Sequence, residues 1–137
     1  MLKVPRVCRF VPLYRRIMDD MGIAIRPIIA YRNPISVCAS LMARNEIDDG
    51  RAQLYWLRHI LDAEAHTRDL PRAFVAYESL LDNWREAVVP IAKRLDIIWP
   101  IQILDAASKI DAFLSRDLEN HANSARDLAA EVRFTDW

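Results

Sequence analysis

Glycine is scarce in this chain, with 2 residues among 137, at positions 22 and 50. That shortage excludes the Walker-type and dinucleotide-binding loops, each of which needs several glycines in a short span to cradle phosphates. It also disfavours a turn-rich all-β fold. Cysteine is equally scarce: Cys8 and Cys38 form no CxxC pattern, no metal-ligand spacing and no disulfide framework. They read as small apolar fillers in a reduced, cytoplasmic protein. No apolar run reaches the ~18–20 residues needed to cross a bilayer. The first ten residues, MLKVPRVCRF, carry charge without the apolar centre of a secretory signal. An excess of either charge is missing too, since 19 Lys+Arg balance 19 Asp+Glu. With no broad field to hold a nucleic-acid backbone or an anionic membrane, any phosphate must be caught by local groups.

What is present is the composition of one folded domain, 53% hydrophobic and 28% charged. Leu2 to Phe10 mixes apolar and basic residues and reads as a strand leading into a loop. Pro12 suits a first helical turn, Leu13, Ile17 and Met21 follow at helical spacing, and Gly22 is a stop, which predicts a helix over 12–21. The run IAIRPIIAY, 23–31, reads as a strand buried on both faces, paired from Ile28 because Pro27 cannot donate to a ladder. Asn33-Pro34 starts a helix that runs to about Arg44. After Asp48-Asp49-Gly50 a second helix spans 51–68, with Leu54, Leu57, Leu61 and Ala65 on one stripe and Trp56 and Ile60 on a neighbouring one. RAFVAY, 72–77, is a short strand. Ser79 and Asp82 form a weak capping box. Leu81, Trp84, Val88, Ile91 and Leu95 then give a core-facing helix, expected to kink or break near Val89 because Pro90 removes a backbone bond. A further helix carries Ile103, Ala107, Ile110, Leu114 and Leu118. The polar end, 120–137, is expected to be a poorly ordered tail, with an extra helix over 123–132 as the other reading.

Strands alternating with helices predict an α/β fold with a short parallel sheet and mostly helical content. Two or three strands make a small sheet against the usual five or six, so the chain reads as part of a larger α/β domain.

The stretch YRNPISVCASL, 31–41, holds the chemistry. Arg32 stands at the carboxyl end of a strand, where open α/β sheets bind ligands. A helix begins at once, offering unpaired N–H groups and partial positive charge. Arg32 adds a planar cation suited to phosphate. Ser36 and Ser40, four apart, lie on one helix face. Together these make a site for a single phosphate. The plainer reading is a solvated strand end followed by two small packing serines. His59 and His66 lie on the second helix and read as surface or packing residues.

Arg32, Pro34 and Ser40 resemble the 3′-phosphate motif of sulfotransferases that use 3′-phosphoadenosine-5′-phosphosulfate (PAPS). In that family an Arg ends a central strand and a Ser eight residues later holds the same phosphate. FVAYESLL, 74–81, looks like the family's Tyr-Glu-Asp-Leu segment, with Tyr77 matching the Tyr beside the nucleotide and Ser79 replacing the Asp. Tyr55-Trp56-Leu57 and Ile110-Asp111-Ala112-Phe113-Leu114 look like the bacterial branch. The resemblance covers roughly residues 3–118. It implies a partial P-loop-type three-layer sandwich, PAPS as cofactor, and transfer of a sulfuryl group to a hydroxyl or amine acceptor. Arg32, Ser40, Tyr77 and Ser36 would then bind cofactor. Lys3 falls where the family often has a Lys near the transferring group.

Two departures stand out. The family's Gly/Ser/Thr-rich 5′-phosphosulfate loop has no counterpart here, so the domain is expected to be incomplete at its N-terminus. Val4 and Pro5 replace the residues after that Lys in relatives, and neither can accept a proton. A missing N-terminal segment or a partner chain would complete the site. A non-catalytic α/β interaction module built on the same scaffold is the alternative. A kinase-like reading would need a Mg²⁺-binding carboxylate near the strand ends, and Asp19 and Asp20 fall late on a helix instead.

Overall fold

The computed structural model describes residues 7–114. A 3₁₀ turn, Val7–Phe10, leads into α1 (Val11–Asp20). Then come β1 (Ile28–Tyr31), α2 (Pro34–Asn45), α3 (Asp49–Thr67), β2 (Ala73–Ala76), α4 (Tyr77–Leu95) and α5 (Ile103–Phe113). β1 and β2 pair in parallel, Ile28 opposite Ala73 and Tyr31 opposite Ala76, with α2 and α3 forming the crossover. The described residues form a small, mostly helical α/β fold around a two-stranded sheet.

Local sequence explains most boundaries. Gly22 takes φ +68 after α1, and the N–H groups of Gly22 and Ile23 reach back to Asp19 and Met18 carbonyls. Asn33 caps α2 by accepting the Ile35 N–H at 2.9 Å, with Pro34 in the first turn. Asp48 caps α3 by accepting the Arg51 N–H at 2.9 Å. α4 has no side-chain cap at Ala76, and Ser79 lies exposed within its first turns rather than preceding it. Its other end is closed by Arg26, which donates to the carbonyls of Leu95 and Asp96 and sets a cation against the negative end of the helix.

The sheet is covered unequally. On one face Ala73 and Val75 pack with Ile91 and Leu95 of α4, with Leu80, Ala87 and Ile97 around them. On the other, Ile29 packs with Cys8 and Ala63. Only Ile29 of β1 is buried, so the strand read as covered on both faces is mostly open. The cause is that α4 lies over β2 and meets β1 only marginally.

Four further expectations are revised. Val7–Phe10 is a 3₁₀ turn and not part of a strand; residues 1–6 lie outside the described ones, as do 115–137 with Leu118 and the expected tail. The Leu54, Leu57, Leu61 stripe of α3 faces solvent, with Leu54 58% and Leu61 54% exposed. The neighbouring stripe turns inward instead, because α2 runs against α3 and the small side chains Ala52, Ala63 and Thr67 permit close approach. Likewise α1 turns Leu13, Ile17 and Met21 outward, since its opposite side is tied to the end of α3 by Arg15, which donates to the His66 carbonyl and, just past the helix, to both oxygens of Asp69 at 2.8 and 2.6 Å. Finally, α4 runs unbroken through Pro90 and departs from helical geometry at Asn83 (φ −154, ψ 83). Pro90 sits on the exposed side, where a missing bond is solvated, whereas the Asn83 side chain accepts the Glu86 N–H and restarts the helix.

Candidate functional site at the carboxyl ends of the strands

β1 and β2 end in register, so the residues that follow Tyr31 and Ala76 emerge side by side. The Arg32 guanidinium lies over the Tyr77 ring, 5.2 Å from its centroid, a cation–π arrangement that fixes the plane of the cation. One residue further, the Asn33 N–H donates to Glu78 Oε1 at 2.8 Å, tying the start of α2 to the start of α4. The Trp56 indole N–H donates to the Arg32 carbonyl at 3.2 Å, anchoring the strand end to α3. Two helix N-termini, α2 and α4, thus converge at the carboxyl end of the sheet beside Arg32. Such an end favours negative charge.

Of the residues singled out from sequence, Arg32 and Tyr77 are brought together. Both are partly exposed, as is Ser40 on α2. Ser36 has no exposed surface and sits within the packing of α2. Lys3 lies outside the described residues. Glu78 and Trp56 were not marked as site residues, yet both touch this strand end. Glu78 was legible in principle, as an acidic residue in the first turn of a helix that follows a strand directly.

Ionisable groups elsewhere serve structure. Glu64 is pulled down to about 2 by Arg68 and Arg72, which both donate to its carboxylate. Arg72 also donates to the Glu64 carbonyl, so this cluster ties the segment before β2 to α3. Burial pushes the Cys8 thiol up, and Cys8 and Cys38 are both buried and unbridged, as fillers should be. Among the described residues no group of His, Cys, Asp and Glu could hold a metal ion, and no helix is long and apolar enough to cross a membrane.

No protein-family model, curated protein or solved structure matches this chain.

Proposed function

We propose that this chain binds the 3′-phosphate end of PAPS and belongs to a sulfotransferase-type unit that passes the sulfuryl group to a hydroxyl or amine acceptor. The observation that carries the reading is the seat of Arg32, at the carboxyl end of β1, over Tyr77 and next to the N-terminus of α2. Arg32 would clamp the 3′-phosphate with its planar donors. Ser40, partly open on α2, would add one hydroxyl donor. Tyr77 would flank the adenosine, its ring already held against a cation. Ser36, fully buried, would support α2 rather than touch the ligand. The cofactor supplies an activated sulfuryl group; the protein's part is to position it and neutralise charge. Lys3 is the candidate for charge neutralisation near that group, and a further segment or partner chain would complete the cradle. The reading places the protein in the cytoplasm, in keeping with two unbridged cysteines.

One observation favours the non-catalytic alternative. The Glu78 carboxylate already accepts an N–H at the start of α2, beside the point where a phosphate would approach. A carboxylate there repels an anion and holds the two helix starts together without a ligand. Calorimetry separates the two readings. The phosphate-binding reading expects adenosine 3′,5′-bisphosphate to bind at least tenfold more tightly than AMP. Equal binding, or none of either, assigns the scaffold to an interaction module.

A further inference from the structure

β2 is paired with β1 along one edge, and among the described residues no strand lies along its other edge. A helix is about 10 Å wide with its side chains and neighbouring strands are ~4.8 Å apart, so a helix packed on a parallel sheet covers about two strands. α4 sits on β2 and barely reaches β1. Its far flank therefore overhangs the place of a next strand. An open groove of about 750 Å³ runs there, between that flank and the unpaired edge of β2.

The lining says what would fit. Val75, Ala87 and Ile91 form an apolar floor continuous with the buried cluster under α4. Asp82 and Glu86 stand at one end, on the turns of α4 that follow the carboxyl end of β2. Arg94 stands at the other, where its Nε donates to the carbonyl of Arg72, just before β2 begins. The groove is thus acidic at one end, apolar in the middle and basic at the other.

We propose that this groove receives an extended peptide segment of a partner protein, which adds to β2 as a further parallel strand. The segment carries an acidic residue, an apolar residue two places on and a basic residue two places after that. Those three share one face of a strand. They meet Arg94, the floor, and Glu86 with Asp82 in that order when the segment runs parallel to β2. Backbone pairing supplies affinity and the three side chains supply specificity, as in other cases of strand addition. A second copy of the chain does not fit the same place. Two β2 edges related by a two-fold axis run antiparallel, and both α4 helices would then overhang the same seam. This proposal is independent of the phosphate site.

The test uses the full chain and three capped pentapeptides. The first is Asp-Thr-Val-Thr-Lys, the second Lys-Thr-Val-Thr-Asp, and the third the first peptide N-methylated at its internal amides. The first should shift the amide resonances of Phe74, Val75 and Ala76 at roughly tenfold lower concentration than the second, and the third should not bind. In the Glu86→Lys, Arg94→Glu double variant the order of the first two should reverse. Circular dichroism checks that the variant folds, and if it does not, the three peptides on the unaltered chain decide alone. Equal affinity for the first two peptides, binding of the N-methylated one, or no binding of the first overturns the proposal. So does sedimentation as a dimer with the β2 amides protected, which would give the groove to a second copy.

Discussion

Arg32 and Tyr77 meet because β1 and β2 end in register, and the guanidinium stands 5.2 Å from the ring centroid. The pair predicts a graded series in nucleotide binding. Arg32→Ala should abolish measurable binding of adenosine 3′,5′-bisphosphate, and Arg32→Lys should recover little of it, since a point charge cannot replace the planar fork. Ser40→Ala should cost about 1–2 kcal/mol, the loss of one hydrogen bond to a charged group. Tyr77→Phe should be mild, because the ring face and not the hydroxyl holds the cation, whereas Tyr77→Ala should cost about 0.5–1 kcal/mol. Calorimetry reads all five variants. An Arg32→Ala variant that binds as tightly as the unaltered chain removes the site.

The outward leucines of α3 give a second prediction. Leu54→Gln and Leu61→Gln should change stability by less than about 0.5 kcal/mol, as surface substitutions do. Ala63→Leu, on the buried side beside Cys8 and Ile29, should cost about 1–3 kcal/mol through overpacking. Urea unfolding measures both. A large loss at Leu61 would mean that this face is covered in solution.

These two faces show where sequence reading succeeds and where it stops. Helix limits were legible where their signals are local: Asn33-Pro34 starts α2 and Gly22 follows α1, while Asp48-Asp49-Gly50, read as a break before a helix from about Arg51, holds the cap and first residues of α3. β1 and β2 were legible from their apolar runs, whereas the strand expected over Leu2–Phe10 is a 3₁₀ turn from Val7 on. Which side of a helix turns inward depends on its neighbours. On α3 the leucines offered the stronger apolar stripe, but Ala52, Ala63 and Thr67 allow the close approach of packed elements, and the leucines lost. The kink in α4 followed the same logic. Pro90 is a strong local breaker, yet its exposed position makes the missing bond harmless, and Asn83 bends the helix by capping it from within. At the site, Arg32 could be marked by type and position, and Tyr77 only through the resemblance that its segment, 74–81, carries. The Glu78 contact to Asn33 could not, because it needs the register of two strands far apart in sequence.

Acid should act through Glu64. Its carboxyl titrates at about 2 in the folded chain because Arg68 and Arg72 both hold the charged form. In the unfolded chain it titrates near the ordinary ~4.3. A depressed folded value means that the stabilisation is fully present above the unfolded value and is lost as pH falls through the folded one. The window is therefore about pH 4.5 down to 2. Glu64→Gln should flatten the pH dependence of the unfolding midpoint in that window and leave its shape above pH 5 unchanged. An identical acid limb in both proteins would show that the ion cluster at the start of β2 contributes nothing.

Trp84 joins α4 to α5. It is 6% exposed, its indole N–H donates to Asp111 Oδ1 at 2.8 Å, and Arg85 both stacks on its ring at 4.6 Å and donates twice to the same carboxylate. The stripe read from sequence placed this residue in the core, and the structure adds the polar link. Trp84→Ala removes a large buried aromatic and should destabilise by about 3–5 kcal/mol. Trp84→Phe keeps most of the packing and loses only the indole donor, so its cost should be clearly smaller. Asp111→Asn keeps an acceptor for the indole but removes the charge that pairs with Arg85, and should fall between the unaltered chain and Trp84→Phe. Chemical unfolding gives the order, and hydrogen exchange of the α5 amides locates it. If Trp84→Phe opens α5 as fully as Trp84→Ala, the indole–carboxylate bond holds α5 to α4. If α5 protection survives in Trp84→Phe and falls only in Trp84→Ala, ring packing holds it, as the burial of Trp84 predicts.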